Sequence, residues 1–384
     1  MKSGEGQDMD IVAEWFSSER IPLPKIKHQT SLKFGPGCLL LQSNSARCLK
    51  LFEKSLCHYL SATDISRNPQ LEKVRVEVYE VDRSLIPRGI RLPRSLRQKN
   101  VEIQKPKKIQ GNRINTFYHL QLKDSEALWR PNDILASFSA KTGNPIKILI
   151  SRASSKDEPF FPGRTAIPLR GIEDDVLLNL ILVLTMRPFG LFCLHAASLS
   201  YRNQGLILTG PSGCGKTTTA LVLLRKGFSL LSDELTLIPA SANPDFSIQG
   251  VLFQPKLFSR KKIEISCLEE SLSHTNRSTK KSLYLSKSAV LRSLYQKAAP
   301  RTIIFLDLKK NNAQEHRLTE IEEHAALAQL LDQIVDPTNA TRHREIFLGL
   351  HSLITRCSLF RLVLGRDIQQ LPFMIHQTLD RKKG

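Results

Sequence analysis

No stretch of this sequence is apolar for long enough to cross a bilayer as a helix. The longest run, Val176 to Met186, is broken by Asn179 and stopped by Arg187 and Pro188, well short of the roughly 20 residues that a span needs. The opening residues, MKSGEGQDMD, lack the basic-then-apolar order of a secretory signal, so a cytoplasmic location and no membrane partner are expected. Paired cysteines are lacking too. The seven cysteines, at positions 38, 48, 57, 193, 214, 267 and 357, are odd in number and scattered without a C-x-x-C. This argues against a zinc site or a disulfide framework and leaves reduced, structural thiols. Acid is scarce: 36 Asp and Glu stand against 56 Lys and Arg, for a formal net charge of +20. That excess attracts something anionic, whether an acidic protein or peptide or a nucleic acid, and charge alone does not rank them.

With 384 residues, 41% of them apolar and 24% charged, the chain is an ordinary globular one with room for two domains. Residues 1–165 are expected to form a smaller, β-rich α+β domain of unassigned role. In residues 45–62, Leu49, Leu51, Phe52, Leu56 and Leu60 approximate a helical stripe, and Lys73 to Val81 alternates Val74, Val76 and Val78 against Arg75 and Glu77 as a half-buried strand does. Ile114 to Leu122 and Ile146 to Ser151 are further strand candidates. Between them, Arg83 to Lys108 holds nine basic residues and one acid, Glu102. It reads as a solvated loop or as an arm gripping an anionic partner, without the interleaved aromatics of a base-stacking platform. The Pro- and Gly-rich segment from Glu158 to Gly171 marks a junction, and Asp175 to Met186 reads as the first helix of a second, α/β domain over 172–384. In that domain the pattern predicts a strand over Thr302–Leu308 and a helix over Thr319–Val335 opened by a Thr319/Glu322 capping box. A helix over Arg344–Cys357, a strand over Phe360–Leu364 and a short basic tail follow. Residues 239–302 resist reading beyond a candidate substrate-facing insertion.

The most specific stretch is 205–234, GLILTGPSGCGKTTTALVLLRKGFSLLSDE. Gly210, Gly215, Lys216 and Thr217 satisfy G-x-x-x-x-G-K-[ST], the loop whose backbone N–H groups wrap phosphates while its lysine reaches the terminal ones. An apolar strand before it and a helix after it supply the context that the motif requires. The nucleotide would lie on Gly210, Pro211, Ser212, Gly213, Cys214, Gly215, Lys216, Thr217 and Thr218. Cys214 reads as a small filler of that loop, and its oxidation would block binding. Phosphoryl transfer also needs a metal-holding acid and a proton acceptor. Asp307, ending the strand IIFLD, stands 91 residues after Lys216; Asp233 stands only 17 after it and is followed at once by Glu234. The paired acids favour the nearer site, since one carboxylate can hold metal while the other takes a proton from an attacking hydroxyl. His195, on the apolar strand LFCLHAASL, reads by itself as a core histidine.

Taken together, LHAASL, the loop and the strand ending in Asp233-Glu234 resemble the catalytic domain of the HPr kinase/phosphorylase family and its relatives, including those encoded with ribosomally made peptides. The likeness is strong over Leu191 to Leu235 and looser through QPKLF, RTIIFLDL and LFRLVLG. It implies the P-loop fold shared with phosphoenolpyruvate carboxykinases, ATP and Mg2+ as cofactors, and a Ser or Thr hydroxyl of a protein or peptide as acceptor. By the same resemblance His195 would lie close to the transferred phosphate, Lys216 would neutralise the β- and γ-phosphates, and Thr217 and Asp233 would hold Mg2+. Glu234 stands where the family's second Asp accepts the proton. The glycine-rich segment of the bifunctional members has no counterpart, which points away from HPr as acceptor and from phosphorolysis. A homo-oligomer is compatible with the sequence, and an ATPase acting on nucleic acid through the basic surface is the alternative.

Overall fold

The computed structural model describes residues 23–34, 37–55, 72–82, 118–121, 125–130, 134–139, 144–151, 181–241, 245–251, 256–257, 281–282, 297–307, 315–335, 342–365, 367 and 370–380. The basic arm over 83–108 and the junction over 158–171 lie outside them. The protein is a mixed α/β chain that divides into two compact units, Met1–Ile109 with Arg113–Phe189, and Gln110–Asn112 with Gly190–Gly384. The helical residues 181–186 fall in the first unit. Among the described residues no helix is long and apolar enough to cross a membrane.

The first unit is built on a seven-stranded sheet in the order β1-β2-β3-β7-β6-β5-β4. Its strands are β1 (His28–Phe34), β2 (Gly37–Ser43), β3 (Glu72–Val81), β4 (Tyr118–Gln121), β5 (Ser125–Arg130), β6 (Ile134–Ser139) and β7 (Ile146–Ser151). Helix α1 (Ala46–Ser55) follows β2 directly, and β2, β3 and β7 run parallel at the centre. That central place corrects one expectation. β3 is not half-buried over its whole length: Arg75 is exposed, but Val76 to Tyr79 are all buried. Glu77, expected on the wet face, is shut in and accepts a 3.0 Å hydrogen bond from Tyr79 Oη. Burial first, and then this carboxylate, push the Tyr79 phenol well above its ordinary pKa.

The second unit carries an eight-stranded sheet. β8 (Leu191–Tyr201) and β9 (Gln204–Thr209) form a hairpin whose turn, Arg202-Asn203, adopts positive φ at both residues, as a two-residue hairpin turn matched to strand twist requires. β10 (Ser229–Ser232) and β11 (Leu235–Pro239) both run antiparallel to β8 and are separated only by Asp233 and Glu234. β12 (Ile248–Val251) pairs with β11 and with β15 (Lys297–Asp307), and β15 lies parallel to β9 and to β17 (Ser358–Val363). β13 (Lys256–Leu257) and β14 (Lys281–Ser282) pair with each other apart from this sheet. The expected strand at 302–308 is therefore longer and begins five residues earlier, at Lys297. Helices α2 (Lys216–Leu224), α3 (Glu323–Leu331), α4 (His343–Arg356) and α5 (Leu371–Asp380) complete the unit. Leu194, Ala196, Ile207, Ile303 and Phe305 of the sheet pack with Ala326 and Leu330 of α3 and Leu350 and Leu353 of α4 in one core.

Two expectations fail here. Thr319 and Glu322 do not form a capping box: Arg317–Glu320 is strand β16, antiparallel to β17, and α3 starts only at Glu323 with no side-chain cap bond from Glu322. A free sheet edge at β17 outcompetes the local helical pattern, because pairing satisfies a full row of backbone groups. The expected tail is also wrong over 371–380, where Leu371, Ile375 and Leu379 line up at four-residue spacing and bury one face of α5. Pro372 sits in the first turn, where its missing N–H has no helical partner to lose.

One glycine fixes how the strand pair leading to the acids is held. A Cβ on Gly250 of β12 would collide with the backbone of Leu231, at the irregularity in β10 that precedes Asp233. Gly190 has positive φ but open space around the same position. Gly250→Ala should therefore lower the free energy of unfolding by about 3 kcal/mol or more, and Gly190→Ala by only about 1 kcal/mol. Urea unfolding of the two variants checks this, and equal effects would contradict the packing.

Candidate functional site

β9 ends at Thr209, and the chain turns through residues 210–215 into α2. Three glycines make that turn possible. Gly210, Gly213 and Gly215 have φ of 140°, 84° and 103°, a region that side chains disfavour. At Gly210 space is closed as well: a Cβ would sit 2.6 Å from the Leu306 carbonyl oxygen and 3.1 Å from Cys214 Sγ. Positive φ alternating with negative φ turns successive N–H groups to one side, which makes a concavity for an anion. The start of α2 adds to this. Gly215 occupies its N-cap position with no side-chain cap bond, and a helix start is the kind of place where an anion is held. Pro211, Ser212 and Gly213 are exposed, Thr217 and Thr218 are half-buried, and Cys214 is buried. Burial raises the Cys214 thiol above its ordinary pKa despite the nearby Lys216. Cys214 thus behaves as a loop filler, not as a reactive thiolate.

Lys216 is the centre of the cluster. Its side chain is buried, and Nζ donates to the carbonyl oxygens of Gly210 (2.8 Å) and Pro211 (3.3 Å). Desolvation lowers its pKa, while Cys214, Asp233 and Glu234 pull the other way. Thr217, the next residue, donates from Oγ1 to Asp233 Oδ2 at 3.2 Å. The other carboxylate oxygen, Asp233 Oδ1, is buried with no hydrogen-bond partner. A carboxylate placed so is poorly paired, and its pKa rises from 3.8 to about 6, chiefly by desolvation, with Thr217 opposing the shift and Glu234 adding to it.

The acid pair is held by a local device that the sequence reading missed. Ser232 Oγ accepts from the backbone N–H of Leu235 at 2.9 Å and, more weakly, of Glu234 at 3.3 Å. This turn, a serine closing on backbone two and three residues ahead, has a recognisable S-x-x pattern. Across from it, Ala196 N–H donates to the Glu234 carbonyl oxygen at 3.1 Å, and His195 lies opposite Leu235. On its other side the His195 N–H donates to the Gln333 carbonyl at 2.8 Å. Desolvation first, then Lys216, lower the His195 pKa to about 4, so the imidazole is neutral at pH 7. His195, Lys216, Thr217, Asp233 and Glu234 therefore stand together. Asp307 is at the end of β15 on the opposite flank of the loop, and Asp233, not Asp307, is the acid bonded to Thr217.

Among the described residues no three His, Cys, Asp or Glu side chains converge as a metal-binding group. A small hard cation held with phosphate oxygens does not need three, since one hydroxyl and one carboxylate suffice on the protein side. Thr217 Oγ1 and the orphaned Asp233 Oδ1 fit that donor set.

Burial favours the neutral form of both titrating groups, with opposite effects on stability. Acidification from pH 6.5 toward 4 works against folding at His195, because the unfolded chain takes up the proton first. At Asp233, strain is present above pH 6 and is relieved as pH falls toward 3.8, because the folded chain takes up the proton first. Asp233→Asn should accordingly stabilise the protein by about 1–2 kcal/mol at pH 8 and by almost nothing at pH 4. Chemical denaturation at the two pH values checks this, and destabilisation at pH 8 would contradict it. The chain matches no protein-family model and no curated protein, and the side chains gathered around Lys216 carry the functional argument.

Proposed function

We propose that the protein is an ATP- and Mg2+-dependent kinase of the HPr kinase-like type that transfers the γ-phosphate to a hydroxyl, on a Ser or Thr of a protein or peptide. One observation carries this reading: Thr217 and Asp233, sixteen positions apart, are in hydrogen-bond contact beside a buried Lys216, with Glu234 next in the chain. The resemblance of LHAASL, the loop and the acid pair to HPr kinases supports it. The net charge of +20 suits an acidic acceptor.

The division of labour follows from the donors present. The loop N–H groups and the start of α2 bind phosphate oxygens. Lys216 exchanges two neutral carbonyl acceptors for anionic oxygens at the β- and γ-phosphates, a stronger partnership inside a buried site. Thr217 and Asp233 would hold Mg2+, which would supply neutralising charge to the phosphate oxygens. Glu234 accepts the proton of the attacking hydroxyl as its oxygen bonds to the γ-phosphorus and the bond to the β-phosphate oxygen breaks, releasing ADP. His195, neutral and beside Lys216, offers a hydrogen bond near the transferred group without adding a second cation.

Labelling from γ-32P-ATP with Mg2+ and serine- or threonine-containing acidic peptides tests the assignment. Lys216→Ala should abolish transfer. Glu234→Gln should leave ATP binding intact and slow transfer by about 100-fold or more, while Asp307→Asn stays within about threefold of wild type. Full transfer by either of the first two variants would overturn the kinase. Loss in Asp307→Asn with Glu234→Gln unaffected, together with hydrolysis stimulated by DNA or RNA, would favour a nucleic-acid-dependent ATPase instead.

A further inference from the structure

The flank of the loop away from Asp233 has its own construction. β9, β15 and β17 run parallel there, and Thr209 lies opposite Phe305, which lies opposite Arg361. β17 therefore passes the level at which β9 stops and continues through Leu362 and Val363. Leu364 then meets the loop itself, since a Cβ on Gly215 would come within 2.9 Å of Leu364 Cδ1. Beyond it the backbone is tied down by a residue from another element. His316, immediately before β16, is buried at 8% exposure. Its Nδ1 accepts from Gly365 N–H at 2.9 Å, and its Nε2 lies 2.6 Å from the Asp367 carbonyl oxygen. A ring that accepts at Nδ1 must carry its proton on Nε2, so the second contact is a donated bond and the tautomer is fixed. Asp367 O also accepts from Gln370 N–H at 3.3 Å, just ahead of α5.

We infer that His316 is a positioning residue for the nucleotide, holding Leu364 and Gly365 as the wall on which the nucleoside end rests. The inference rests on the kinase reading above. A triphosphate is a linear group: if its reacting end faces Asp233 and Glu234 on the β8 flank, its nucleoside end leaves over the opposite rim. There Leu364 offers an apolar surface against Gly215, the kind of wall that suits a flat heterocycle. His316 does not touch the ligand. It acts by keeping two backbone groups, Gly365 N–H and Asp367 C=O, satisfied in one conformation.

Binding of ATP and of inorganic tripolyphosphate, each with Mg2+, separates the roles when measured by calorimetry on the full chain. Wild type should bind ATP more tightly than tripolyphosphate. His316→Ala should weaken ATP about tenfold and tripolyphosphate less than about twofold, and Leu364→Ala should weaken ATP about threefold or more with tripolyphosphate unchanged. Leu364→Ala leaves the His316 bonds in place, so it decides the matter if His316→Ala fails to fold. Equal losses for both ligands, or none in either variant, would overturn the inference and leave the kinase standing. So would equal wild-type affinity for the two ligands. Failure of wild type to bind either ligand would instead remove the nucleotide reading and this inference together.

Discussion

The hydroxyl of Thr217 touching the carboxylate of Asp233 ties together the two halves of the second unit's site. One partner belongs to the helix that starts at the glycine loop, the other to the break between β10 and β11. For them to meet, β8 must lie between β9 and the strands that carry the acids, and Gly210 must let the loop pass under Leu306. β12 must cross Leu231 closely enough that only glycine fits at 250. The contact is a weak one at 3.2 Å, and the rest of the Asp233 carboxylate is left with a buried, unpartnered oxygen. A fold optimised for stability alone would not keep an acid in such a place.

Electrostatics around Lys216 follow the same logic. Burial pushes the lysine down, the aspartate up and the histidine down, disfavouring the charged form of each. A bound anion next to Lys216 and a cation next to Asp233 would relieve both at once. On the proposed reading, the transfer uses groups that the fold has already desolvated.

Much of this site was legible in the sequence because its parts are local. Gly210, Gly213 and Gly215 reveal the loop through their spacing, and Lys216 and Thr217 follow within the motif. Asp233 and Glu234 end a short apolar strand, and Asp233 is the acid that Thr217 contacts. The mixed α/β class, β7 and α4 were readable from apolar periodicity. What failed was set by pairing at a distance. Arg317–Glu320 became a strand because β17 offered an edge, and Glu77 was buried because β3 lies between two parallel neighbours. His316 and Gly365 are 49 positions apart, with no local pattern to connect them. α5 carried a legible stripe at Leu371, Ile375 and Leu379 that the basic residues after it obscured.

The most direct measurement is a crystal structure of the protein with Mg2+ and a non-hydrolysable ATP analogue. The account predicts the triphosphate inside the loop over residues 210–217, and the ion within about 2.1 Å of Thr217 Oγ1. Asp233 should hold it directly or through one water, with Glu234 facing the γ-phosphate. An ion at Asp307, or a loop that stays empty at saturating analogue, would contradict it.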